Sequence, residues 1–273
     1  MMKRETLTPL QSLLWAWRWP PPLTVFCSLL VLAYIGWYRR RLSRAAWFFS
    51  GVILSLLTLA SPFDALARQY LLAADVPVRI AVWLAAPFLI MEGIPPSEGR
   101  ASKGARTAVA CLGWIAGMLL VPAWYLPRLY DATLVSAPLR WAQWAAVLAC
   151  GLLFWWPLTG PSRAWRVKPV PAGIWYLFGA AMWCSLAGLA LAFTRPGLYR
   201  SYSGTDDPLQ IADFLRNQME LTRAGDQETA GLLLWIGASA VLFSGVMLVF
   251  YRWYVSREVR EEFSSRSEAA TKR

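Results

Sequence analysis

Two residues of opposite charge lie one helical turn apart in an otherwise apolar stretch of the chain. Residues 71–90 read LLAADVPVRIAVWLAAPFLI, and their charged residues are Asp75 and Arg79. Positions i and i+4 share one face of a helix, where a carboxylate and a guanidinium can form an ion pair. An unpaired charge inside a bilayer costs about 2.5–3.5 kcal/mol on insertion scales. The spacing therefore predicts an ion pair within a membrane helix.

The sequence offers little else that could do redox, metal or hydrolytic chemistry. It contains no histidine, the commonest metal ligand and the usual axial ligand of haem. Its four cysteines fall in four different apolar segments without C-x-x-C spacing, which disfavours a disulfide framework or a zinc site. P-loop, GxGxxG and GxSxG motifs in their required contexts are absent from the sequence. We therefore expect no bound cofactor and no enzymatic activity.

The elements that must position the charged pair are membrane-spanning helices. The chain is 57% hydrophobic and only 16% charged, which is typical of an integral membrane protein. A span needs about 20 apolar residues. The second candidate is short and the third is interrupted by charge. The seven predicted spans are residues 21–38, 45–60, 70–93, 108–126, 139–158, 171–193 and 229–254.

The net charge of +11 is distributed over alternate loops. Basic residues follow spans one, three, five and seven, so the positive-inside rule places these loops in the cytoplasm. The N-terminus then lies outside and the C-terminus inside, and membrane lipid rather than nucleic acid is the expected partner. The basic residues are Arg39, Arg40, Arg41 and Arg44, then Arg100, Lys103 and Arg106, then Arg163, Arg166 and Lys168, then Arg252, Arg257 and Arg260.

These patterns predict an all-α, integral membrane seven-helix bundle without a separate soluble domain. Residues 1–20 form an N-terminal segment, 21–254 the membrane domain, and 255–273 a charged cytoplasmic tail that we expect to be frayed. The longest loop, 194–228, contains a predicted amphipathic helix. That helix would be capped by Asp206 or Asp207 and ended by Gly225.

Six strings of the sequence, in their order and spacing, resemble one known family. The family is the multi-span CtaG-like cytochrome c oxidase assembly factors of bacteria, and the resemblance covers residues 45–260. It implies a multi-pass protein of the bacterial cytoplasmic (inner) membrane, in contact with oxidase subunits or a copper chaperone. It also implies a role in maturing a haem–copper oxidase by handling copper at the outer face. The strings are SPFDALA (61–67), APFLIMEG (86–93), WYLPRLYDATL (124–134), GLLFWWPL (151–158), PGLYRSY (196–202) and DQETAGLLLWI (226–236).

The resemblance also shows what this chain has lost. The family places histidines in an H-x-x-x-H pair on span three, in W-H-x-P, and in L-H-x-x-E-H on span five, and every one of these histidines is replaced. The degenerate positions are Asp75, Arg79, Tyr125, Arg140, Gln143 and Trp144. The retained motif positions are Asp64, Trp124, Pro127, Tyr130, Asp131, Asp226 and Gln227.

We interpret the Asp75–Arg79 pair as filling the polar space of a lost metal site. Arg140 is expected to join this pair, with Asp64 or Asp131 as further partners. The retained residues are interpreted first as scaffold, and Asp226, just before span seven, as a helix cap. The function we predict is a scaffold without bound metal in haem–copper oxidase biogenesis.

Three alternatives remain open at the level of sequence. The carboxylates Asp64, Asp75 and Asp131 could bind a cation, although Arg79 and Arg140 are permanently charged and cannot be ligands. The chain could be an interaction protein of another membrane complex. It could also be a transporter that uses Asp75 and Arg79 as a gated pair, although the sequence shows no internal repeat of the kind that broken-helix transporters carry.

Overall fold

The computed structural model describes residues 9–38, 42–199, 202, 207, 211–215 and 222–271. Within these ranges the regular secondary structure is helical. The described residues also contain an isolated β-bridge between Ser97 and Ser162. The helices are α1 (Pro9–Leu14), α2 (Pro21–Tyr38), α3 (Ala45–Ala60), α4 (Pro62–Gln69), α5 (Leu72–Gly93), α6 (Lys103–Ala123), α7 (Pro127–Val135), α8 (Ala137–Thr159), α9 (Val170–Phe193) and α10 (Arg223–Thr271). Short 3₁₀ turns occur at Leu42–Arg44 and Arg163–Trp165.

Among the residues that the structure describes, six helices are long and apolar enough to cross a membrane: α2, α5, α6, α8, α9 and α10. The pair α3–α4 passes the same test together, with a bend of 49° at Ser61. Ser61 has an extended backbone and Pro62 cannot donate an N–H to the preceding turn, so the helix ends and restarts there. Counting the bent pair as one span gives the seven predicted helices, which confirms the all-α membrane bundle. The inside–outside orientation stays a prediction.

The alternating helices bring loops together at two ends of the bundle. We call one end, which holds the α3–α4 bend, the α6–α7–α8 connection and the loop before α10, the ion-pair end. The opposite end, which holds the loops after α2, α5 and α8, is called the basic end. At the basic end, Arg252 of α10 forms a bidentate ion pair with Glu92 of α5, at 2.6 and 2.9 Å.

Two sequence predictions about the ends of helices were wrong. The last helix continues to Thr271 through the tail that we expected to be frayed. Gly225 lies in the first turn of α10 instead of ending a loop helix. Most of the predicted helix at 206–225 lies outside the described residues. Within them, the Asp207 carboxylate accepts the backbone N–H groups of Ile211 and Ala212, both at 3.0 Å.

Helix α5 lies at the centre of the bundle. Its most apolar window is 72% buried, against 17% for the windows in α2 and α10. A π-helical turn, Ala81–Ala85, interrupts α5 two residues before Pro87. Pro87 lacks the N–H that would bond the carbonyl of Trp83. The indole N–H of Trp155, on α8, donates to the carbonyl of Leu84 in this turn at 2.9 Å. The break in α5 is therefore stabilised from the neighbouring helix.

Candidate functional site: a buried cluster of ion pairs

The predicted ion pair of α5 is formed and is fully enclosed. Arg79 donates to Asp75 Oδ2 from Nη2 at 2.8 Å and from Nε at 3.1 Å. The two residues are 1% and 0% exposed, respectively. Both lie at the start of α5, near the ion-pair end of the bundle. A buried ion pair gains stability only where further contacts compensate its desolvation, so the surroundings of Arg79 decide whether it can persist.

Aromatic rings supply those further contacts. The guanidinium carbon of Arg79 lies 4.2 Å from the ring centroid of Tyr125, 5.2 Å from that of Trp144 and 5.6 Å from that of Tyr130. A cation over an aromatic face gains roughly 0.5–2 kcal/mol, and most when the contact is desolvated. Two of the rings, Tyr125 and Trp144, stand at positions where the resemblance places histidines. A phenol and an indole, which in their neutral forms are poor metal ligands, therefore lie against a cation here.

A second ion pair joins the α3–α4 bend to α8. Arg140 Nη2 donates to Asp64 Oδ1 at 2.7 Å, and Arg68 contacts Asp64 Oδ2 at 2.6 Å. The sequence left Asp64 and Asp131 open as partners of Arg140, and the structure selects Asp64. Arg140 also lies 5.6 Å from the ring of Trp144, the residue that faces Arg79. The two groups of charges are thus neighbours that share one indole.

The remaining predicted positions lie around this cluster. Gln143 is fully buried on α8, one turn from Arg140. Pro127 is the first residue of α7, where a proline costs no hydrogen bond. Asp131 is partly buried on α7, next to the fully buried Tyr130. Trp124 packs, partly buried, against the main core at the end of α6.

Two tyrosines of the long loop close the cluster, and sequence reasoning missed them as site residues. Tyr202 donates to the carbonyl of Ala67 at 2.6 Å, and its hydroxyl lies 2.7 Å from that of Tyr130. Since Tyr202 has a single hydroxyl proton, Tyr130 is the donor between the two. Tyr199 donates to the carbonyl of Tyr125 at 3.0 Å. Burial raises the pKa of Tyr199 and of Tyr202, so both stay protonated donors. The sequence feature that could have indicated them is the pair of tyrosines three positions apart in PGLYRSY.

Asp226 and Gln227 tie three helices together, which differs from the cap that we expected. Asp226 accepts the backbone N–H groups of Leu72 and Ala73, both at 2.9 Å. It therefore caps the start of α5 from the first turn of α10, across 154 positions of sequence. Gln227 donates to the carbonyls of Leu191 and Thr194 at the end of α9. These retained residues fix the helix that carries Asp75.

Removing this cap gives a direct test of its structural role. Asp226→Ala should lower the free energy of unfolding by about 1–2 kcal/mol, the upper range for loss of a helix cap. The physical reason is that two backbone N–H groups at the start of α5 lose their acceptor. The measurement is thermal unfolding in detergent, followed by circular dichroism. Asp226→Asn keeps one acceptor oxygen and should retain part of the stability. Equal losses for both variants would contradict the cap.

The polar atoms of this cluster that lack a protein partner are mostly donors. They include N–H groups of Arg79, Arg140, Gln143 and Trp144, beside the oxygens Asp75 Oδ1, Gln143 Oε1 and Tyr125 Oη. Oxygen ligands of this kind suit hard cations rather than copper. A metal ion needs lone pairs, which these N–H groups do not offer. The described residues contain no group of three or more histidine, cysteine, aspartate or glutamate side chains arranged to hold a metal. The residues present therefore do not fit a copper ion.

The charge balance points the same way. The ion-paired residues comprise two carboxylates, Asp64 and Asp75, and three guanidiniums, Arg68, Arg79 and Arg140. Within these described ion pairs, three positive charges stand against two negative ones, which disfavours a cation bound between them. Each carboxylate is also already engaged by an arginine. The arrangement is suited to holding α4, α5 and α8 together.

Comparison with known proteins agrees with the fold and with the strings quoted above. Residues 28–256 match the model of a family described as cytochrome c oxidase caa3 assembly factor (Caa3_CtaG). No curated protein and no solved structure gave a match. The family match spans more than half of the chain and includes every residue of the ion-pair cluster. The chain is thus a multi-pass membrane protein that belongs to the Caa3_CtaG family of cytochrome c oxidase assembly factors.

Proposed function

We propose that this protein serves the biogenesis of a haem–copper oxidase as a scaffold that carries no copper itself. The observation that carries the proposal is the fully buried Asp75–Arg79 pair, which stands where the resemblance places a histidine pair. Its role is non-catalytic, and its place is the bacterial cytoplasmic membrane, as the family implies. The partners are an oxidase subunit or a copper-carrying protein.

The residues that replace ligands now bind one another. In a metal site, side chains from separate helices are held together by the ion that they share. Here the Asp75–Arg79 pair and its aromatic rings join α5 to α8 and to the α6–α7 connection. The Asp64–Arg140 pair joins α4 to α8. These ion pairs can therefore hold the helix ends in place without a metal ion. The surface that the helix ends offer to a partner protein is then kept.

Loss of the gene tests the role in oxidase biogenesis. In membranes that lack the protein, haem–copper oxidase activity and the intensity of the oxidase haem bands in the optical spectrum should fall several-fold. Both should recover with the unaltered gene. The double variant Asp75→Leu/Arg79→Met should also restore activity, because the proposal assigns no copper ligand to these positions. Unchanged activity in the deletion strain would remove the protein from oxidase assembly. Stable association with a complex that contains no oxidase component would then favour an interaction protein of that complex.

Copper content separates the scaffold from a copper carrier. The purified protein, incubated with Cu(I) and a competing chelator, should retain well below one copper ion per chain. Stoichiometric copper that disappears on Asp75→Asn would overturn the absence of a metal. The structure gives a transporter no support, because both members of the charged pair are 0–1% exposed.

A further inference from the structure

A groove opens between α6 and α9 at the basic end of the bundle, the end opposite the buried Asp75–Arg79 pair. Its volume is about 560 Å³. Three basic residues, Lys103, Arg106 and Lys168, line the groove near the basic end of the bundle. Aromatic and aliphatic residues, among them Trp114, Ile115 and Trp175, line it deeper. The family assignment and the proposed scaffold role do not explain this feature.

The part of the groove nearest the basic end carries a strong positive charge. None of its lining residues is acidic, and the described part of the structure contains no ion pair of Lys103, Arg106 or Lys168. Two helices also begin here, α6 at Lys103 and α9 at Val170. Helix N-termini carry partial positive charge and unpaired N–H groups, which attract anions. Cations in the first turn of α6 oppose its dipole, so an anion would relieve an unfavourable arrangement.

The groove continues into the apolar zone of the bundle. Ile115 is 45% exposed and Trp175 is 70% exposed. From Lys103 to Ile115, a helix rises about 18 Å at 1.5 Å per residue. Half of a bilayer's hydrocarbon core is about 15 Å thick. The groove therefore has the depth of one lipid leaflet, with positive charge at one end and apolar surface along the rest.

A second groove at the same end provides a contrast. It lies between α3, α5 and α10 and has a volume of about 490 Å³. Its basic residues are Arg44 and Arg252, and Arg252 is already paired with Glu92. A carboxylate therefore neutralises part of this groove, while the groove between α6 and α9 has none. The two grooves are similar in volume and differ in the charge of their lining residues.

We propose that the groove between α6 and α9 binds an anionic phospholipid. Its phosphate contacts Lys103, Arg106 and Lys168, and one acyl chain lies along Trp114, Ile115 and Trp175. Basic pockets between membrane helices on the cytoplasmic side recognise anionic lipid headgroups in this way. A free phosphate would use the charges and leave the apolar part of the groove without a role. An acidic protein segment is the competing occupant that the experiment must separate.

Native mass spectrometry of the delipidated full-length protein tests the lipid. Phosphatidylglycerol and phosphatidylcholine with identical acyl chains are added to separate samples, and retention of each is compared. We expect at least a tenfold preference for phosphatidylglycerol. The variant Lys103→Gln/Arg106→Gln/Lys168→Gln should lose this preference. The matched control Arg44→Gln/Arg257→Gln/Arg260→Gln removes the same charge from the same end and should keep it.

Cys111 gives a second readout in the unaltered protein. It lines the groove and is exposed, whereas Cys27, Cys150 and Cys184 are buried. Phosphatidylglycerol should slow maleimide labelling of Cys111 in detergent, and the single variant Arg106→Gln should weaken this protection if the triple variant does not fold.

Four results would overturn the lipid proposal. The first is equal retention of both lipids, and the second is equal loss of preference in both triple variants. The third is displacement of phosphatidylglycerol by inorganic phosphate at similar concentration. The fourth is an acidic protein segment that protects Cys111 where lipid does not.

Discussion

Asp75→Ala should lower the free energy of unfolding by about 3–5 kcal/mol, which is the range for removing one partner of a buried ion pair. The loss is large because Arg79, 1% exposed, would keep its charge with no carboxylate beside it. A guanidinium cannot lose its proton to escape this cost. The aromatic faces of Tyr125 and Trp144 offset only part of it. Thermal unfolding in detergent measures the change.

A double variant decides whether the charges themselves are needed. Asp75→Leu/Arg79→Met removes both charges and keeps apolar volume, so it should recover most of the stability that Asp75→Ala loses. Buried ion pairs replaced by well-packed apolar residues are often neutral or more stable. If the double variant were as unstable as Asp75→Ala, the charges themselves would be needed for stability, beyond filling the space at the centre of the site. The same variant tests function in oxidase assembly.

Gly151→Ala should destabilise the bundle by about 3 kcal/mol, the upper end of the usual cost of overpacking a core. A Cβ at residue 151 would overlap the backbone carbonyl of Trp83 and would lie 2.6 Å from Pro87 Cγ. Backbone atoms cannot rotate away as a side chain can, so α8 would have to move from α5. That movement would also displace Arg140 and Trp144, which α8 carries. Thermal unfolding in detergent again measures the loss.

Gly36→Ala is the matched control for this steric argument. Gly36 lies within a predicted span, on α2, and a Cβ there would meet no atom within 4 Å. Alanine is favoured over glycine inside a helix by about 1 kcal/mol. Gly36→Ala should therefore be neutral or slightly stabilising in the same assay. A similar loss at both positions would show that glycine is needed for some reason other than close approach.

The residues of the cluster explain how a chain without histidine can hold these helix ends together. Asp226 and Gln227 hold the start of α5 and the end of α9 through backbone contacts that need no metal. Asp64 holds the bend between α3 and α4 against α8. These retained positions are structural, so they can persist whether or not a metal is present. The residues at the replaced positions contact one another at the centre of the cluster.

The sequence by itself determined that the chain is a bundle of membrane helices and that Asp75 pairs with Arg79. Both depend on local patterns: runs of apolar residues long enough to cross a bilayer, and a four-residue spacing on one helix. Six strings sufficed for the family, because their order along the chain is a property of sequence alone. The second span, at 45–60, was the short one, and its completion by α4 required the bend at Ser61 to be seen.

Only the tertiary structure decided which helices the polar residues join. Asp226 was expected to cap its own helix, and it caps α5 because the two helix starts meet at the ion-pair end. Arg140 had two possible carboxylate partners, and packing of α8 against the α3–α4 bend selected Asp64. Tyr199 and Tyr202 became part of the site because their hydroxyl groups donate to the carbonyls of Tyr125 and Ala67. Such contacts join residues far apart in the chain, and no local spacing encodes the distance between them.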